Sequence, residues 1–182
     1  MSKSKKKNSE VHHIPHYKNN ECIENFARES NYMRYIDWFD NILRKESCPR
    51  SQCIFKDVKA FNFDRCETSL KQKNKNQEKP TVDCVVGMDK STLVLVEMKF
   101  EVKTLKMKNV AKNIKDKRDY SLKIFNQLEN FSCYSKVIIL LSDKGFEQHK
   151  GNLRRELLLK PGQFEIMKVS DFYKDHFLKS IV

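Results

Sequence analysis

Asp83, Glu97 and Lys99 combine residue types and spacing suited to metal-assisted and acid–base chemistry. Glu97 and Lys99 sit two apart in Leu95-Val-Glu-Met-Lys-Phe100, an apolar run with strand character. Side chains alternate along a strand, so Glu97 and Lys99 project to one face and Val96, Met98 and Phe100 to the other. An acid and an amine in so apolar a strand are costly to bury unless they are partnered or put to use. Pro80-Thr-Val-Asp83 opens a neighbouring run, joined to the first through the short polar stretch Gly87–Ser91, which reads as a hairpin turn. Across such a hairpin Asp83 brings a second carboxylate beside Glu97. Two adjacent carboxylates repel, and a divalent cation turns that repulsion into ligation. All-oxygen donors suit Mg²⁺ or Mn²⁺, with water and a phosphate oxygen filling the remaining positions. Lys99 then faces the attacking water, or the phosphate oxygen on which charge develops.

The elements that must hold these groups can be read from periodicity. Behind a basic tail, residues 20–45 show helical spacing in Cys22, Ile23, Phe26, Met33, Ile36 and Leu43, with Asn19 or Asn20 as N-cap and Pro49 past the end. Residues 52–63 read as a first strand, and the polar stretch 68–80 as a loop. Thr81–Val86 and Thr92–Val102 form the hairpin. A long helix follows from Met107 to Phe131, with Val110, Ile114, Ser121, Phe125 and Leu128 as its inner stripe. The run 136–141 reads as a strand buried on both faces. A helix near 147–159, a break at Pro161-Gly162, a strand at 163–169 and a helix capped at Ser170-Asp171 complete the chain. The expected fold is α/β, a mixed central β-sheet flanked by helices. It forms one domain over 20–182 behind a disordered basic tail, 1–19.

This pattern resembles the PD-(D/E)XK nuclease superfamily, which pairs an Asp near the start of its second core strand with Glu-x-Lys in the third. The matching residues are Pro80-Thr-Val-Asp83 and Glu97-Met98-Lys99, and the element order over 20–141 matches the family's α-β-β-β-α-β, restriction-endonuclease-like core. Asp83 does not directly follow Pro80, a variation the family tolerates. The resemblance implies that Asp83, Glu97 and the Met98 carbonyl bind Mg²⁺ (or Mn²⁺) while Lys99 assists catalysis. Gln127-Leu-Glu-Asn-Phe131 is similar to the Gln-x-x-x-Tyr element of RecB-type members, with Phe131 in place of Tyr. Lys123, one turn before Gln127, shares its face and is placed to touch a phosphate. Many members carry a Glu on the first helix. Here Glu29 falls within the stripe of Phe26, Met33 and Ile36, and Asp40 is the rival on the same stripe.

Composition narrows the alternatives. The 182 residues suffice for one core, and 39% hydrophobic with 33% charged residues, 4 Gly and 4 Pro exclude fibrous and low-complexity chains. No apolar run approaches the roughly 18–20 residues of a membrane span, and the lysine-rich start is not a secretory signal. The six cysteines lack C-x₂-C spacing, the closest pair being Cys48 and Cys53, and read as reduced structural thiols of a cytoplasmic protein. His12, His13 and His16 fall in the tail. The net charge of +12 is concentrated in residues 1–20, 71–79 and 103–118, with the rest of the chain near neutral. Such clustering suits a polyanion, because each phosphate neutralised releases counterions. The lysines placed to grip a nucleic-acid backbone are Lys71, Lys73, Lys75, Lys106, Lys108, Lys112 and Lys115, together with Lys123. Tyr32, Tyr35, Trp38 and Phe39 fit core or partner packing better than base stacking.

The expectation from sequence is a metal-dependent nuclease acting on DNA, with Gln127 and Glu29 as auxiliary site residues. With no specificity module of its own, it would be targeted by a partner protein or by self-association, as in restriction and phage-defence systems. Two alternatives keep the fold without cleavage: a nucleic-acid-binding subunit with its acids in salt bridges, or a scaffold subunit using its aromatic first helix.

Overall fold

The computed structural model describes residues 17–74, 79–101, 107–125, 128–157 and 162–178, the side chains of 17 and 70–74 excepted. In chain order the elements are α1 (Tyr17–Glu29), β1 (Ile36–Trp38), α2 (Phe39–Lys45), β2 (Lys59–Asn62), α3 (Phe63–Asn74), β3 (Cys84–Gly87) and β4 (Thr92–Lys99). They continue with α4 (Met107–Phe125), β5 (Ser132–Cys133), β6 (Val137–Leu141), α5 (Phe146–Leu157), β7 (Phe164–Lys168) and α6 (Val169–Phe177). The sheet order is β1-β2-β3-β4-β6-β7, with the short β5 also pairing with β4. The first four strands form an antiparallel meander, while β4, β6 and β7 run parallel. Parallel neighbours need crossovers, which α4 and α5 supply. The most apolar runs, in β3, β4 and β6, occupy the centre, where both faces are covered.

Alternation along the strands sorts the core into two layers. Phe61, Val85, Leu93, Leu95 and Ile139 meet Phe26 of α1 and Ile114 and Phe125 of α4. Ala60, Val86, Val94, Val96, Met98, Ile138 and Leu140 meet Phe39 of α2 and Phe172 of α6. Glu97, two residues beyond Leu95, therefore falls on the α1/α4 face. The β3–β4 turn is closed by the Asp89 carboxylate, which accepts from the Ser91 and Thr92 N–H groups at 2.9 and 2.8 Å. That closure fixes the strand register on which Asp83 and Glu97 depend.

The local structure departs from the periodic reading in several places. The helix expected over 20–45 ends at Glu29, where Asn31 turns the chain with φ 60°, and the next segment becomes the edge strand β1. Asn19 and Asn20 lie inside α1 and act as clamps rather than caps: Asn19 Nδ2 donates to the Gly87 carbonyl at 2.8 Å, and Asn20 Nδ2 to that of Asp57, also at 2.8 Å. The strand expected over 52–63 is confined to Lys59–Asn62, and residues 63–74, expected in part as loop, form α3. Helix α3 is anchored by Phe63 and Cys66, so few apolar positions reveal it. Finally, residues 128–131, expected as the end of the long helix, are not helical, and α6 starts at Val169 with no side-chain cap.

All six cysteines are free, and burial pushes the Cys22, Cys48 and Cys66 thiols up to about 12, so they behave as apolar side chains. Among the described residues no helix is long and apolar enough to cross a membrane.

Gly87 is a point of close approach between α1 and the sheet. A Cβ there would overlap the Asn19 carbonyl and lie 2.8 Å from the Cys22 Cβ. Gly87→Ala is expected to push α1 off the hairpin and lower stability by about 1–3 kcal/mol. Denaturant unfolding checks this; an unchanged midpoint would show that the helix approach is slack.

Candidate active site

Strand pairing matches Cys84 with Val96 and Val85 with Leu95, and one further step sets Asp83 opposite Glu97. Both side chains belong to the α1/α4 face, as Val85 and Leu95 do. Glu97 is 0% exposed and Asp83 5%. The Met98 N–H donates to Asp83 Oδ2 at 2.6 Å, tying the Asp83 carboxylate to the backbone of β4. Lys99 Nζ donates to Glu97 Oε1 at 2.5 Å and to the Met98 carbonyl at 3.1 Å.

A second lysine completes the cluster. Lys117 of α4 places Nζ 2.8 Å from Asp83 Oδ1, 3.0 Å from Glu97 Oε1 and 3.1 Å from Glu97 Oε2. The helix is registered on the hairpin by Ser121, fully buried one turn later, whose hydroxyl accepts from the Val82 N–H at 3.1 Å. One turn of α4 thus carries both the anchor and the cation.

The electrostatics follow from burial and charge. Burial, and then the Asp83 charge, push Glu97 up to about 7, against the pull of Lys99 and Lys117. Burial alone would lower Lys117, but Glu97 and Asp83 outweigh it and hold the ammonium above its ordinary value. Glu46, half-buried just beyond α2, is also raised by burial and by the charges of Asp83 and Asp64, with Lys99 and Lys117 opposing. It belongs to the same electrostatic neighbourhood.

Of the residues expected from sequence, Asp83, Glu97, Met98 and Lys99 come together. Glu29 does not: it ends α1, is exposed, and accepts from Asn130 Nδ2 at 3.0 Å. The helical stripe expected to bury it stops there. Asp40 is buried, but its carboxylate accepts from the Phe55 N–H at 3.0 Å, a structural duty that pins the loop before β2. Gln127, Lys75 and Lys106 lie outside the described residues. Lys71 and Lys73 fall on the last part of α3, not in a loop. Lys108, Lys112 and Lys123 are exposed on α4, and Lys115 is half-buried. Phe131 lies past the end of α4 and packs on Phe26, with ring centroids 5.9 Å apart. Phe39 and Tyr35 are core, whereas Trp38 is 45% exposed under the Lys59 ammonium.

Lys117 and Glu46 are the residues that sequence reasoning missed. Lys117 had a signal: it stands three after Ile114 and four before Ser121, on the inner stripe of its helix. Glu46 follows the last turn of a short helix and carried none.

Asp83 and Glu97 converge on one cation-sized position, held by the Lys117 ammonium. Among the described residues no group of three or more His, Cys, Asp and Glu could hold a metal ion. Two carboxylates with the neighbouring Met98 carbonyl nevertheless fit Mg²⁺, which keeps several waters and takes its other ligands from substrate phosphate. No known family model, curated protein or solved structure matches the chain.

The raised Glu97 value makes stability depend on pH with a defined sign. Between the ordinary 4.5 and about 7 the folded protein holds a proton that the unfolded chain has lost. This contribution is fully present below 4.5 and fades as pH rises through 7. Relative to Glu97→Gln, the wild type is expected to lose stability over that window by up to about 1.4 kcal/mol per pH unit. Melting of both proteins at pH 4.5, 6 and 8 measures it; parallel curves would contradict the assignment.

Proposed function

We propose that the chain is a metal-dependent nuclease of the PD-(D/E)XK type that hydrolyses phosphodiester bonds in DNA. The observation that carries this reading is the convergence of Asp83 Oδ1 and both Glu97 oxygens on one point, held by the Lys117 ammonium, with Lys99 on the Glu97 carboxylate. Helix α1, the antiparallel strands β2, β3 and β4, helix α4 and the parallel strand β6 that frame it support the same reading.

Asp83, Glu97 and the Met98 carbonyl would hold Mg²⁺ or Mn²⁺. When bound, the ion polarises the scissile phosphate and lowers the pKa of a coordinated water. Glu97 must be ionised to serve, so its raised pKa limits metal loading in acid. Asp83 is oriented by its bond from the Met98 N–H, and Lys99 is held beside the carboxylates, where its charge can orient the water or offset the charge developing on phosphate. The exposed lysines of α4 supply sequence-independent grip on the backbone.

One observation favours a second reading, a non-cleaving nucleic-acid-binding subunit. Lys99 and Lys117 already neutralise both acids without a metal.

The two readings separate in a paired experiment on a mixed DNA substrate panel with Mg²⁺ or Mn²⁺. Asp83→Asn and Glu97→Gln should each remain folded and DNA-binding while losing cleavage by about 10³-fold, and Lys99→Ala by about 10²-fold. Cleavage untouched in Glu97→Gln would sink the nuclease reading. A wild type that binds DNA but cleaves with neither metal would support the second.

Grip through phosphates also makes binding salt-sensitive. Replacing Lys108 and Lys112 with Ala should weaken DNA binding across all sequences and make its salt dependence shallower by about two charges. An affinity unchanged by the replacement would remove α4 from the interface.

A further inference from the structure

We infer that Lys117 is a built-in competitor for the metal ion, a tethered cation that occupies the position between Asp83 and Glu97 until a divalent ion displaces it. The inference rests on the metal-dependent reading and specifies how metal loading is controlled.

The geometry argues for exclusion. Lys117 Nζ touches Asp83 Oδ1 at 2.8 Å and the two Glu97 oxygens at 3.0 and 3.1 Å, so it engages both acidic residues from a single point. A divalent ion liganded by these same carboxylates must occupy nearly the same point. An ammonium and a divalent cation cannot share it, since they repel at short range and compete for the same lone pairs. Lys99 is different in kind. It reaches Glu97 from the same strand and also rests on the Met98 carbonyl. Among the described residues, Lys117 is the cation that bridges the two acids.

The lysine is also built in. It enters from another element, α4, and that helix is registered on the hairpin by the buried Ser121 hydroxyl accepting from the Val82 N–H. The acids face a buried layer where leaving them unpaired is costly. Lys117 thus keeps the metal-free site assembled, and metal must work against it. Apparent metal affinity is reduced by the fraction of molecules in which Lys117 is out of the way.

The test uses the full chain and two readouts independent of cleavage. In the first, Mn²⁺ is titrated calorimetrically into the wild type, Lys117→Met and Lys117→Gln. Both variants should bind Mn²⁺ roughly tenfold or more tightly. They should also melt lower than the wild type without metal, and Mn²⁺ should raise their melting temperature more than it raises that of the wild type. The second readout needs no variant and covers the case in which neither folds. Reductive methylation of wild-type Lys117, followed by mass spectrometry, should be slow without metal and accelerated by saturating Mg²⁺.

Equal or weaker Mn²⁺ binding by the variants, beside clear binding by the wild type, would overturn the competitor role and leave the metal-dependent reading standing. Methylation indifferent to Mg²⁺ in a protein that demonstrably binds it would do the same. Absence of Mn²⁺ and Mg²⁺ binding in every protein tested would overturn both.

Discussion

Two carboxylates facing each other across adjacent strands in a buried layer demand a cation, and much of the local structure answers that demand. Asp83 and Glu97 are placed opposite by the register of β3 and β4, which the Asp89-closed turn sets. The cation comes from α4, and the crossover that makes β6 parallel to β4 lays this helix over the required face. Ser121 fixes how far along the hairpin the helix sits. The clamp of Asn19 onto Gly87 holds α1 against the other end of the same hairpin, so its strands are gripped at both ends of one face.

Stability alone does not account for such an arrangement. Replacing a buried ion cluster with well-packed apolar side chains is often neutral or stabilising, whereas removing one partner is strongly destabilising. The surrounding strand residues, Leu93, Leu95, Val96 and Met98, are what a buried sheet prefers, and Glu97 interrupts them. Its pKa, pushed up by burial and by Asp83, records that the interruption carries an electrostatic cost. Local rule-breaking of this kind, surrounded by otherwise consistent packing, is the usual mark of a site kept for chemistry or binding.

How much of this was legible in the sequence depends on the range of the interactions. The hairpin carboxylates and Lys99 were readable because strand alternation is a short-range rule and the turn lies between them. The mixed sheet with flanking helices was readable for the same reason, from runs such as Val137–Leu141. Lys117 stood on a visible stripe, but its partners lie 20 and 34 residues away, and only the crossover brings them into contact. The first helix misled because spacing continued past Glu29 although the chain turned at Asn31, so Glu29 and Asp40, placed on one stripe, belong to different elements. Helix α3 was obscured by its polar composition, Phe63 and Cys66 being its apolar anchors among the described residues.

The charge balance of the cluster bears on both readings of the protein. With Asp83 and Glu97 ionised, Lys99 and Lys117 bring the four-residue cluster to neutrality, leaving Glu46 as a further acid within electrostatic reach. A bare acid pair would repel a polyphosphate, and the exposed lysines of α4 would then work against their own site. Neutralisation from within removes that conflict before any metal arrives. On the proposed reading, an enzyme and a binding subunit built on this framework would differ in the balance between one tethered ammonium and one divalent ion for the same oxygens, a balance that changes to α4 would tune without altering the sheet.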